Sequence, residues 1–304
     1  MARSAVRRPL SLLRKGSGGD LRFAILLLAP NLLLLLWFTY RPLLQSFRLS
    51  TVRWDLVSPR KINVGFANYR AFWDDPVSRK AIFNTLVFST ATVTLIVVLG
   101  LLFALTLNRQ RFGSRFAGAA IFAPFVIPGS AVAIAWYFVF DPGFGILAAL
   151  LSGVGIASPN WYNNPRWAMF MVIIAYVWKN VGYTTVLYLA GLQAIPAELF
   201  EAAELDGAGW WGRMRAVVLP GLRPTTAFVA VTSVLAAMQS FDIIFVMTRG
   251  GPLDGTRTLT FQIYDEAFGR FRIGMASAIA TVLFVVLLLI TFIQVRLLDR
   301  KEDR

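Results

Sequence analysis

Val285-Val286-Leu287-Leu288-Leu289 lies in residues 273–295, a stretch long and apolar enough to cross a bilayer as one helix. A hydrocarbon core of about 30 Å needs about 20 such residues at helical rise. Outward from it, five more stretches pass the same test: 23–47, with Leu32-Leu33-Leu34-Leu35-Leu36, then 82–107, 116–140, 167–195 and 225–248. The composition agrees, with 57% apolar and 15% charged residues and a mean hydropathy of +0.63. A soluble domain carries about a quarter of its residues as charges. The alternating pattern of a barrel strand is missing, so the chain is expected to be an all-α membrane protein of six transmembrane helices. Pro30, Pro124 and Pro128 fall inside spans, where partner helices or local kinks must satisfy the freed carbonyls.

Several chemistries are excluded at once. The 304 residues include no cysteine and no histidine, which removes disulfides, thiolate nucleophiles, zinc clusters and imidazole relays. Asp74-Asp75 lacks the further carboxylates of a metal site, so no metal is expected. Lys15-Gly16-Ser17-Gly18-Gly19 has the wrong order for a phosphate-binding loop, and no nucleotide motor is present. The net charge of +14 flanks the apolar runs rather than striping one soluble element, which favours a lipid bilayer over nucleic acid as partner. The chain reads as a path or a machine part, not an enzyme.

The first span is expected to be a retained anchor, because its apolar run exceeds that of a signal peptide and no small-residue cleavage site follows Thr39-Tyr40-Arg41-Pro42. Four parts result: a segment 1–22, the first span with its outer loop (23–81), the main membrane domain (82–295) and a tail (296–304). Lys and Arg are denser in 1–22, 108–115, 196–224 and 296–304 than in 41–81, 141–166 and 249–272, which places both termini inside. The loop 48–80 is itself basic and aromatic and weakens that bias; it reads as solvated and partly folded, or alternatively as a docking surface.

With this topology, residues 196–224 face the cytoplasm. Pro196 suits a first helical turn, with Glu198 at its positive end. Leu199, Ala202, Ala203 and Leu205 form an apolar face, and Gly207 and Gly209 end the helix. A second short helix is expected from Trp210 to Leu219, stopping before Pro220. The pair could simply cover the membrane face, but Ala202 and Ala203 bury little area for lipid anchoring and suit close approach by another protein.

Glu201-Ala202-Ala203, then Gly207, Val217 and Leu219-Pro220 at fixed spacing, resemble the cytoplasmic signature of permease subunits of bacterial binding-protein-dependent ABC importers, with Val217 where isoleucine is usual. Val64-Gly65-Phe66-Ala67-Asn68-Tyr69, Thr248-Arg249-Gly250-Gly251-Pro252 and Ile263-Tyr264-Asp265-Glu266-Ala267-Phe268 are similar to the carbohydrate and glycerol-3-phosphate branch. The resemblance implies the type I ABC importer permease fold in a bacterial plasma membrane. It implies a second permease subunit, two ATPase subunits that bind ATP and Mg, and an extracytoplasmic solute-binding protein. It makes Glu201, Ala202, Ala203, Asp206, Gly207, Leu219 and Pro220 the ATPase-coupling residues.

Lys179 and Asp242 are ionisable groups within spans, either a buried ion pair or polar walls of a central cavity. Gln239 and Ser240 lie beside Asp242 and could bond a polyol. By the same resemblance, the substrate path would include Phe125, Gly129, Trp178, Val181, Gly182 and Ala237. An alternative is an ion-coupled secondary carrier using Lys179 and Asp242, which calls for broken helices repeated in two halves. A membrane enzyme would need an interfacial carboxylate cluster beyond that of 198–206.

Overall fold

The computed structural model describes residues 18–108 and 114–302. Helix α1 (Gly18–Leu35) passes through a widened turn at Leu36–Tyr40 into α2 (Arg41–Leu49), and together they form the first span. There the Arg41 N–H donates back to the Leu36 carbonyl, a wider turn that carries the helix past Pro42. No side chain of Ile25–Leu49 is buried, as a lipid-facing helix requires, and Phe47 packs edge-on against Phe284 of the last span. A two-stranded antiparallel ribbon follows, β1 (Val52–Arg53) with β2 (Ile62–Asn63), and then α3 (Ala67–Asp74).

The second and fourth spans start by the same local rule. For α4 (Pro76–Leu107), the Asp75 carboxylate accepts from the Val77 and Ser78 N–H groups; for α8 (Pro165–Gln193), Asn164 Oδ1 accepts from Arg166 and Trp167. In each, proline fills the first helical position, where no donor is needed. Ala81, Thr85, Phe88, Thr92, Ile96, Gly100 and Ala104 make one buried stripe along α4. Gly100 is needed there, since a Cβ would sit 2.6 Å from Thr184 Cγ2 of α8. Small residues at helical spacing let two membrane helices approach, and this pair forms the centre of the bundle.

The third span departs from expectation. Instead of one rod over 116–140, it consists of α5 (Ser114–Val126) and α6 (Gly129–Val139), bent by 103°. Pro128 has no N–H for the Pro124 carbonyl and adopts an extended backbone, with φ −53° and ψ 137°. Helix α7 (Ile146–Gly153) leads to α8. Counting the bent pair as one, the described residues hold six apolar spans.

Beyond α8, α9 (Ala197–Leu205) and α10 (Trp210–Arg213) form the projecting loop. A wide turn at Met214–Val218 then runs into α11 (Leu219–Gly221), so the helix does not stop before Pro220 as the sequence suggested. The wide turn absorbs the missing Pro220 donor, as it does at Pro42. Pro196 likewise stands one place earlier than expected, capping α9 from outside. The fifth span is α12 (Arg223–Met238) and α13 (Asp242–Met247), interrupted at residues 239–241. Helix α14 (Leu259–Tyr264) precedes α15 (Ile273–Glu302), the last span.

The loop 48–80 is ordered rather than merely solvated. Asn68 Nδ2 donates to the Ser50 and Val52 carbonyls at 2.8 and 3.0 Å, and the Ile273 N–H donates to the Trp54 carbonyl at 3.0 Å. On the same side, Asn84 Nδ2 holds the Asp254 and Arg257 carbonyls, so the segment 249–258 is pinned to α4. Burial alone would lower Arg257, but the hydrogen bonds it donates to Asp265 and Asp254 outweigh that cost and raise it above the ordinary guanidinium value, keeping it charged. Residues 1–17, 109–113 and 303–304, part of the charge pattern expected to lie inside, are outside the described residues.

Candidate functional site

The break in the third span meets the break in the fifth, and Lys179 of α8 stands beside both. Pro128 leaves the Phe125 carbonyl without the N–H it would meet in a continuous helix. Lys179 Nζ donates to that carbonyl at 2.9 Å and lies 5.4 Å from the Phe125 ring centre. Phe125 also stacks on Tyr183 at 4.8 Å, one turn further along α8. The lysine therefore caps the negative end of α5.

Asp242 serves the other half of the break. Its carboxylate lies against Gly129, the first residue of α6, where a Cβ would sit 1.6 Å from Oδ2. A carboxylate at a helix N-terminus is stabilised by about 0.3–1 kcal/mol, and more when partly buried. Asp242 Oδ1 additionally accepts from the Ile243 N–H at 3.0 Å. The two charges are thus held by opposite dipole ends of one broken span. No Lys179–Asp242 ion pair occurs among the described residues, so the buried-pair expectation gives way to this arrangement.

A cavity of about 390 Å³ opens beside them, lined by Tyr176, Lys179, Asn180, Gln239, Ser240 and Asp242 among others. Ser240 is 7% exposed and its hydroxyl has no partner, leaving a donor and an acceptor free at the wall. Asn180 Nδ2 donates to the Tyr176 carbonyl, which leaves its Oδ1 for the cavity. The wall is thus rich in neutral hydrogen-bonding groups beside two charges already engaged.

Other expected path residues lie elsewhere. Val181 and Ala237 are buried away from the cavity, and Ala236 takes the lining position instead. Gly182 is a packing residue, since a Cβ there would meet the Ile121 carbonyl at 2.0 Å. Trp178 is half exposed and packs edge-on against Trp136 at 5.7 Å. Tyr176, Asn180 and Tyr183 were not singled out from sequence, although their spacing of four and three puts them on one helical face beside Lys179.

The loop 196–224 has a pinned side and a bare side. Met214, Val218 and Leu222 are buried with Ala104, Tyr188 and Leu192, where α4 and α8 end, and Phe200 packs on this cluster. Ala203 faces the same way at 9% exposure, so it anchors α9 rather than lying on the open face expected of it. The open face carries Glu198, Leu199, Glu201, Ala202, Leu205 and Asp206, with Leu205 89% exposed. Gly207 adopts φ +75°, and the Ala208 N–H donates to the Ala203 carbonyl at 2.9 Å, closing the helix end. Leu219 is exposed and Pro220 half-buried on the following turn.

Residues 96–304 match the family described as the binding-protein-dependent transport system inner membrane component. The chain is 34% identical over 285 residues to the trehalose/maltose transport system permease protein MalF of Thermococcus litoralis, covering 91% of this chain and 94% of the relative. It is 32% identical over 277 residues to the sn-glycerol-3-phosphate transport system permease protein UgpA of Agrobacterium fabrum, covering 91% and 94%. A solved bacterial alginate ABC transporter, in complex with an alginate pentasaccharide-bound periplasmic protein, contains a chain of the same fold. There the TM-score is 0.77 at 24% identity, over 90% of this chain and 92% of that one.

Proposed function

The chain belongs to the binding-protein-dependent transport system inner membrane component family, and from that premise we propose that it is one of two permease subunits of an ATP-driven importer. Its cargo is a sugar, polyol or glycerol phosphate derivative, in keeping with what the relatives' names say they carry. Two ATPase subunits, which bind ATP and Mg, engage the 196–224 loop from the cytoplasm, where both termini lie. An extracytoplasmic binding protein delivers solute on the opposite side. The chain itself is a non-catalytic permease. An ion-coupled carrier using Lys179 and Asp242 gains no support from the relatives.

The observation that carries this reading is the bare face of α9 on a pinned base. Apolar Leu199 and Leu205 stand in solvent beside Glu201 and Asp206, while Ala203 is buried and Phe200 packs on the cluster that joins Met214, Val218 and Leu222 to the ends of α4 and α8. A push on α9 therefore reaches α4 and α8 through this cluster, and small Ala202 permits close approach. Glu201, Ala202, Asp206 and Gly207 are the contact residues on this reading, with Leu219 and Pro220 fixing the turn behind them. The cavity beside Ser240, Gln239 and Asn180 is the section of path that meets polyol hydroxyls.

Gly207→Asp, which strains a left-handed backbone, and Glu201→Lys, which reverses an exposed charge, test the lever in vesicles holding the whole transporter. Uptake is expected to fall at least tenfold, while the variants elute and melt like the unaltered chain. Normal uptake in both would refute the coupling role.

A further inference from the structure

Arg53, Arg60, Arg270 and Arg272 converge on a cavity of about 450 Å³ where α3 and α15 begin, at the end of the bundle opposite the 196–224 loop. Two of the four are neutralised. Arg272 makes a bidentate pair with Glu266, 2.6 Å at both contacts, and Arg270 lies 3.2 Å from Asp265. Arg53 and Arg60 are exposed and have no carboxylate within ion-pairing distance among the described residues. The one acidic residue lining the cavity, Asp55, accepts from the Ser58 N–H at 2.7 Å.

The cavity is built rather than incidental. The Ile273 N–H bond to the Trp54 carbonyl ties the ribbon to the first turn of α15, and Gly274 lies so close beneath Val52 that a Cβ would sit 1.8 Å from its carbonyl oxygen. Trp54 Nε1 donates to the Ser58 carbonyl at 2.9 Å and Lys61 sits 4.1 Å over the indole ring, which fixes the turn that carries Arg60. Its depth is set by α15, whose apolar span Ile273–Arg296 rises about 36 Å, a little more than a hydrocarbon core. Residues 270–274 thus stand at headgroup level. The lining joins these guanidinium groups to Ile62, Ala67 and Met275, a cationic mouth over an apolar floor.

We infer that this cavity binds the phosphodiester headgroup of an anionic phospholipid in the leaflet around the start of α15. Guanidinium forks match phosphate oxygens in geometry and charge, and at headgroup depth the phosphate within their reach is that of a lipid. The inference accounts for the basic character of residues 41–81, which opposes the usual charge bias. Arg53 and Arg60 also precede the residues that match the family.

The full chain, purified in detergent with its co-purifying subunits, is titrated with phosphatidylglycerol, phosphatidylcholine and inorganic phosphate, and adducts are counted by native mass spectrometry. Phosphatidylglycerol is expected to be retained selectively and to weaken about tenfold to thirtyfold in Arg53→Gln/Arg60→Gln. Arg79→Gln/Arg166→Gln, two exposed charges removed from the same side, is expected to change retention less than twofold. Equal retention in both double variants, or equal binding of the zwitterionic lipid, overturns the site. Displacement of the lipid by inorganic phosphate at equal concentration overturns the lipid assignment. Melting in phosphatidylcholine reports folding, and if Arg53→Gln/Arg60→Gln melts early, Arg60→Gln alone decides by the same readout.

Discussion

The third and fourth spans pack side by side, and both carry residues that weaken helices, yet one turns by 103° and the other runs unbroken for 29 residues. The difference lies in what each weakening residue removes. Gly182 and Gly191 in α8 lack side chains but keep their N–H groups, so the backbone ladder survives and the space is used for close approach. Asn180 and Thr185 bond back to their own helix at the Tyr176 and Val181 carbonyls. Pro128 removes a donor, and around the break Lys179 donates to the Phe125 carbonyl while the Asp242 carboxylate lies against the first residue of α6. A straight helix thus serves as the wall against which a broken one is held open.

That contrast can be broken most severely at Gly182. Gly182→Leu forces a side chain into the Ile121 backbone and should cost about 3 kcal/mol or more, visible as loss of monodisperse protein in detergent. A normal elution profile and melt would show that α5 yields freely. Next is Gly129→Ala, whose methyl group claims the space of the Asp242 carboxylate. A loss of about 1–3 kcal/mol is expected, recovered in large part by adding Asp242→Ala in a double-mutant cycle. Additive losses would mean that the two residues are not coupled.

Lys179→Met keeps the bulk of the side chain but leaves the Phe125 carbonyl without its donor, for an expected cost of about 1–3 kcal/mol in thermal unfolding. The smallest effect is expected from Asp242→Asn, about 0.3–1 kcal/mol, because only the charge at the α6 N-terminus is lost. If Asp242→Asn proved costlier than Lys179→Met, the carboxylate rather than the lysine would be the main support of the bend.

Spans were legible wherever a long apolar run met a local start signal. Asp75-Pro76 and Asn164-Pro165 begin α4 and α8 as cap and first-turn proline, and no distant contact is needed for either. The projecting loop was nearly as legible, because Gly207 and the alternation of glutamate with small residues act within ten residues. Its inward face was not: which of Ala202 and Ala203 turns towards the bundle depends on Phe200 finding the ends of α4 and α8. The cavity wall was partly hidden for the same reason. Lys179 and Asp242 stood out as charges inside spans, but Tyr176 and Asn180 carry no such mark and line the cavity only through the rotation of α8, which also sets Tyr183 against Phe125.

Hydrophobicity, charge and proline placement act within one segment, so the sequence by itself determined six spans, a membrane setting, a motorless chain and a capped knob at 196–224. The fate of Pro128 was a different matter. A proline inside a membrane helix is compatible with a mild kink or a full break, and the outcome rests on whether another span supplies partners for the freed backbone. Lys179 supplies a donor to the Phe125 carbonyl and the Asp242 carboxylate lies at the start of α6, 51 and 114 residues further along the chain than Pro128. Such long-range pairing of charge with helix ends is a property of the packed bundle, and only the tertiary structure could decide it.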